Sequence, residues 1–223
     1  MKFFGRNKEI SELQETNRLS EHTARFTIVT GRRRSGKTSL LLKAYEDVSD
    51  MLYFFVARKS EAELCKDFIT EITDKLQIPI LGEVSRFADI FKFLMQLSKT
   101  RHLTVVIDEF QDFKRVNPSV FSDMQKIWDL NKAEAHINLV VCGSIYSLMN
   151  VIFKGSKEPL YGRQTGEIKV TAFPPSTIRE ILACYNPSFT AEDLLALYLY
   201  TGGVAEYVEM MMVGLSYVVD MLT

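Results

Sequence analysis

Short apolar runs recur along the chain: Phe26-Thr27-Ile28-Val29-Thr30, Met51-Leu52-Tyr53-Phe54-Phe55-Val56-Ala57, Leu103-Thr104-Val105-Val106-Ile107 and Asn138-Leu139-Val140-Val141-Cys142. They are too short for helices and rich in β-branched and aromatic residues, so they read as buried parallel strands. Ile168 to Thr171 is a candidate fifth strand. Between the runs the spacing turns helical. Ile10, Leu13 and Leu19 share one face, with Asn7 as candidate N-cap. Ser39 to Tyr45 holds good helix formers. Ser60 and Glu63 form a capping box that opens a helix to about Leu76, and Ile78-Pro79-Ile80 ends it. Phe87, Ile90, Phe91, Leu94 and Leu97 mark another helix, and Ile127, Trp128 and Leu130 lie on one that follows Pro118.

Strands alternating with helices at this pace predict an α/β fold, a parallel sheet with helices on both faces. The pattern changes after Phe173. Pro174-Pro175 breaks the chain, and helical spacing follows over Thr177 to Cys184, Ala191 to Tyr200 and Val204 to Met212, with a last apolar piece to the end. The expected division is a core over 1–172 and an all-helical lid over 173–223. The sequence stops inside an apolar pattern, which fits a piece cut from a longer protein before a further C-terminal domain.

Composition narrows the class. The 223 residues carry a net charge of −1 and are 47% apolar, enough for a real core. Near-neutrality argues against a dedicated nucleic-acid or membrane-surface protein, though a local basic patch is compatible with it. Cys65, Cys142 and Cys184 have neither paired nor metal-ligand spacing and read as reduced thiols of a cytoplasmic protein. His22, His102 and His136 show no metal spacing. Neither a signal peptide nor a run of about 18 apolar residues is visible, so no membrane partner is expected.

The chemistry concentrates after the first strand. Gly31-Arg32-Arg33-Arg34-Ser35-Gly36-Lys37-Thr38 fits G-x-x-x-x-G-K-[ST], with a strand before it and Ser39 opening a helix after it. Gly31 and Gly36 let successive N–H groups turn inward, and the helix points its positive end at a phosphate. Lys37 is expected to reach the β- and γ-phosphates and the Thr38 hydroxyl to bind Mg²⁺. Arg32, Arg33 and Arg34 either add positive potential beside the triphosphate, bind a partner or nucleic acid, or form a solvated basic rim.

Val105-Val106-Ile107-Asp108-Glu109 is an apolar strand ending in two acids, the Walker B pattern. Asp108, at the carboxyl end of a parallel strand, is placed to hold Mg²⁺, and Glu109 to polarise an attacking water. The second acid favours hydrolysis over kinase chemistry. Gly143-Ser144 ends the fourth strand. Ser144 is a candidate contact for the γ-phosphate or the water and, equally, an N-cap for a helix over Ile145 to Ile152.

These pieces occur in order with Phe4-Gly5-Arg6-x-x-Glu9, Ile107-Asp108-Glu109-Phe110-Gln111, Leu160-Tyr161-Gly162-Arg163 and Gly202-Gly203-Val204. Together they resemble the archaeal-type ATPase family, within the STAND class of P-loop NTPases and related to AAA+ and origin-recognition ATPases. The resemblance covers almost the whole chain. It implies a three-layer sandwich with sheet order 5-1-4-3-2. It also implies ATP or ADP with Mg²⁺ as ligands, slow ATP hydrolysis as a conformational switch, and assembly with itself or a partner protein. A nucleotide-locked signalling scaffold is the competing class. A DNA-associated ATPase is a third, with DNA bound through a downstream domain. Phe4, Gly5 and Arg6 match the motif that such ATPases lay against adenine and ribose. Arg163 matches their arginine finger or trans-acting sensor. Gly202-Gly203-Val204-Ala205 matches the lid motif, with Ala205 where proline is usual, which weakens the expectation of close lid–nucleotide contact.

Overall fold

The computed structural model describes residues 2–79 and 82–220, with side chains up to Val213. The part of the last apolar piece beyond Asp220 lies outside the described residues. Five strands form one parallel sheet: β1 (Arg25–Gly31), β2 (Met51–Phe55), β3 (Leu103–Asp108), β4 (Ile137–Gly143) and β5 (Gly166–Val170), in the order β2-β3-β4-β1-β5. This is the expected order, read from the opposite edge. Central β1, β3 and β4 are buried along nearly their whole length, because helices cover both faces. Their sequences are therefore continuously apolar instead of alternating.

Two cores result. On one face, α3 (Glu61–Leu76), α4 (Phe87–Leu97), α6 (Ser119–Asn131) and α7 (Tyr146–Lys154) pack an aromatic-rich layer. Phe26 sits at its centre with no exposed surface, edge-on to Trp128 at 5.2 Å and to Phe153 at 5.6 Å. Truncating such a ring to alanine costs about 3–5 kcal/mol. Trp128 is thus a core residue. On the other face, α1 (Asn7–Ser20) and α2 (Lys37–Ala44) bury Leu13, Leu40 and Leu41 against Val29, Val106 and Val140. Helices α8 (Pro175–Tyr185), α9 (Ala191–Thr201) and α10 (Ala205–Asp220) form a third cluster around Ile178, Ile181 and Val208. These are the helices expected after Phe173. Between β3 and α6 run a 3₁₀ turn (Phe110–Asp112) and the one-turn α5 (Phe113–Val116).

Several local expectations change. Asn7 does not cap α1. Arg6 stands at that position in a left-handed conformation (φ 64°) and makes no side-chain cap. Its guanidinium is drawn instead to the P-loop and the end of β5. Ser144 does not cap α7 either; the helix starts at Tyr146 after Ile145, and the Ser144 hydroxyl turns to the acid on β3. The fifth strand begins at Gly166 and ends at Val170, because its hydrogen bonds follow the β1 register Thr27↔Gly166 to Gly31↔Val170. The Ser60–Glu63 capping box is present, and Thr190 and Asp193 form a second on α9.

Candidate active site

The carboxyl ends of β1, β3 and β4 meet at one edge of the sheet, with Thr30 opposite Gly143 and Ile107 opposite Val141. Open α/β sheets bind ligands at this edge. A cleft of about 330 Å³ opens there, between the loop after β1 and the start of α10. Its wall includes Phe4, Arg6, Arg33, Arg34, Ser35, Gly36, Lys37, Thr38, Ser39, Asp108, Glu109 and Ser144. So most of the residues singled out from the sequence converge on one cavity.

The P-loop explains its own shape. Gly36 has φ 82°, where a Cβ is strained, and opens α2. The first turn of α2 leaves N–H groups without intrahelical acceptors, aimed at the cleft. Lys37 is 7% exposed, and its Nζ donates to the carbonyls of Gly31 and Arg32, each at 3.1 Å. An ammonium has three donors, so one is left for an anion. Ser35 Oγ is buried with no partner. Gly31 and Arg32 shape the loop through their carbonyls and do not line the cavity.

Asp108 is 3% exposed. Its Oδ2 accepts from the Thr38 hydroxyl at 2.7 Å and from the Tyr53 hydroxyl at 2.7 Å, and its Oδ1 accepts the Glu109 N–H at 2.8 Å. Because Thr38 gives its proton to Asp108, its oxygen lone pairs are free to face a cation. This donor set fits Mg²⁺, a hard ion that takes one or two protein oxygens together with phosphates and waters. No group of three or more His, Cys, Asp or Glu capable of holding a metal occurs among the described residues. Burial, followed by the hydrogen bond to Asp108, raises the Tyr53 phenol above its ordinary pKa, so it stays a donor. Burial also raises the Cys142 thiol, on β4 behind the same carboxylate.

Glu109 occupies the left-handed region at φ 52°, a strained place for a glutamate that turns its side chain toward β4. Its Oε2 accepts from Ser144 Oγ at 2.8 Å and from Gln111 Nε2 at 2.5 Å. Gln111 is 1% exposed, and a Cβ on Gly143 would collide with its amide oxygen.

The opposite wall is formed by Phe173 and the start of α10. Arg34 Nε pairs with Glu206 at 3.2 Å, Arg34 lies 5.4 Å from the centre of the Tyr207 ring, and the Glu206 N–H donates to the Arg34 carbonyl at 3.2 Å. Ala205 and Glu206 line the cleft despite the missing proline, and the Ala205 methyl lies 3.4 Å from where a Gly36 Cβ would stand. Gly203 (φ 70°) turns the chain tightly, with its carbonyl accepting the Phe173 N–H at 2.7 Å. Arg6 ties the N-terminal arm into this wall. It donates to the carbonyls of Ser35 (3.3 Å) and Thr171 (2.5 Å), pairs with Glu9, and lies over the Phe173 ring at 4.7 Å. Gly5 packs on Thr177 and Phe173 and does not line the cavity.

Arg163 is elsewhere. Its Nη2 and Nε bind Asp129 on α6 at 2.9 and 3.1 Å, and its Nη1 binds the Tyr161 carbonyl at 2.9 Å. It is absent from this chain's own cleft wall. Phe173 and Glu206 line the cleft, and Tyr53 and Gln111 stand behind the two acids, none of them given a role from sequence. Gln111 closes the acid-bearing motif, and Tyr53 stands out as a polar-tipped ring within an otherwise apolar strand.

The comparisons agree with this geometry. Residues 3–211 match the family described as an ATPase domain predominantly from Archaea, and the chain belongs to that family. An uncharacterized protein of Methanocaldococcus jannaschii is 30% identical over 93% of this chain, which spans 43% of that protein's length. Among solved structures, the Walker-type ATPase of Pyrococcus abyssi superposes with a TM-score of 0.70 at 20% identity, covering 95% of this chain and 69% of that one. The Aeropyrum pernix ORC2 protein, in complexes with ADPNP and ADP, gives 0.70 at 16% identity over 97% of this chain and 62% of its own. The fold is thus that of P-loop ATPases. No helix among the described residues is long and apolar enough to cross a membrane.

Proposed function

We propose that this chain binds ATP and ADP with Mg²⁺ and hydrolyses ATP slowly, as a conformational switch. The observation that carries it is the Thr38–Asp108 hydrogen bond at the foot of the P-loop, with Glu109 as the next residue. Lys37 and the N–H groups opening α2 bind the phosphates and concentrate positive potential where charge develops. Thr38 and Asp108 would hold Mg²⁺, which would supply positive charge against the phosphates. Glu109 orients a water in line and takes its proton on the carboxylate, while Ser144 fixes that carboxylate. Phe4 and Arg6, which line the cleft on the N-terminal arm, meet the adenine and ribose. Residues 1–172 act as the core and 173–223 as the lid. The Arg34–Glu206 pair lets a triphosphate compete for Arg34 and so move the lid.

Cytoplasmic location and action on a partner, either a second copy or another protein, follow from the family reading. Arg163 then serves a neighbour's nucleotide. A DNA-associated role would need a further domain to supply the contact. A nucleotide-locked scaffold is the second reading, favoured by the engagement of Glu109 with both Ser144 and Gln111. Steady-state turnover separates the two.

Nucleotide binding is tested by melting. At about 100 times Kd, ligand stabilises the fold by about 2.7 kcal/mol, a rise of about 5–10 °C for this size. Lys37→Ala should remove most of the rise. No rise in the wild type at millimolar Mg-ATP or Mg-ADP sinks the proposal.

A further inference from the structure

Tyr53 sits mid-way along β2, opposite Val106 of β3, and Asp108 is the diagonal neighbour two residues on. Side chains so related share a face, and a long one spans the gap. The Tyr53 ring packs against the core under α1 and α2. A phenylalanine would fill that place equally well. The hydroxyl does something else: it donates to Asp108 Oδ2 at 2.7 Å, the oxygen that also takes the Thr38 proton. With the Glu109 N–H on Oδ1, three donors from three segments fix the plane of one carboxylate. Tyr53 itself does not line the cleft.

From this we infer that Tyr53 is a positioning residue for the cation that accompanies the nucleotide. It pins Asp108 so that Oδ2 stays turned to Thr38, which keeps the Thr38 proton off the side that must face the metal. Without the phenol, the carboxylate can rotate, and Thr38 is free to point its proton into the cation site. Hydrogen bonds to charged groups are among the stronger ones, so the loss should be measurable. The inference rests on the proposed nucleotide site.

The test uses Tyr53→Phe on the same chain. Melting is followed at a fixed excess of ADP, first with EDTA and then with rising MgCl₂. The expected result is unchanged stabilisation by ADP in EDTA and a Mg²⁺ midpoint raised about 3–10-fold. In an Asp108→Asn background, Tyr53→Phe should no longer move the midpoint, whereas a purely structural ring would act equally in both backgrounds. If Phe at 53 fails to fold, Tyr53→Met is used in the same titration. A wild-type Mg²⁺ response shared unchanged by the variant overturns this inference alone. A wild type with no Mg²⁺ response overturns the site reading and the inference with it.

Discussion

The Ser144 hydroxyl, at the end of β4, donates to the Glu109 carboxylate, at the end of β3, across 2.8 Å. The two residues are 35 apart in sequence and come together only because β3 and β4 are neighbours. Gln111 donates to the same oxygen from the turn that follows β3. The Glu109 carboxylate is thus oriented by two donors, one from each of two segments.

This relation predicts separable effects at the two ends. Glu109→Gln keeps the shape and removes the base, so ATP should bind normally and hydrolysis should fall about 10²-fold or more. Ser144→Ala removes one of two donors and should lower turnover less, about 10-fold, without changing the Mg²⁺ requirement. Equal turnover of Glu109→Gln and wild type in a phosphate-release assay rules out Glu109 as the base.

Arg163 gives a second prediction. In the isolated chain it is paired with Asp129 at 2.9 Å. Burial works against the Asp129 carboxylate, but the hydrogen bonds from Arg163 and Lys132 outweigh it and lower its pKa. If Arg163 acts in trans, turnover per chain should rise with protein concentration, and Asp129→Asn should steepen that rise by loosening the arginine. Arg163→Ala should flatten it. Mixing Arg163→Ala with Lys37→Ala should recover part of the activity, since one keeps a complete pocket and the other keeps the arginine. A mixture shown to associate yet as inactive as its components assigns Arg163 to structure.

A third prediction concerns pH. Arg101 hydrogen-bonds Asp50 through both Nε and Nη2, and this contact holds the Asp50 carboxyl below its ordinary value. A carboxylate depressed in the folded state contributes stability that is complete above its unfolded pKa of about 3.9. That contribution is lost as pH falls through the lower folded pKa. Both side chains are partly exposed, so it amounts to less than about 1 kcal/mol. Urea midpoints of Asp50→Asn should therefore lie below wild type at pH 7 and converge with it below about pH 4. A constant gap across that range rules the linkage out.

By itself the sequence determined the parts. A run such as Leu103–Ile107 has no charged position and only Thr104 as a polar one, so it reads as buried on both faces, which a parallel sheet with helices on each side provides. The spacing of Gly31, Gly36, Lys37 and Thr38 fixed the phosphate cradle, because loop conformation and helix start are local properties. What the sequence left open were the partners of polar side chains. Asn7 looked like a cap and Ser144 like another, since caps are the short-range use of those residues. The tertiary fold gave Ser144 a carboxylate from the next strand, and it put Arg6 where a cap would stand, with its guanidinium on the P-loop. Tyr53 belongs to a strand 55 residues from Asp108, Arg163 meets Asp129 across 34 residues, and Arg34 meets Glu206 from a different cluster. Each pairing depends on strand order and on how α6 packs against the sheet and α10 against the P-loop. A hydrogen bond is specified by distance and angle in space, and a linear pattern carries neither until the chain has closed.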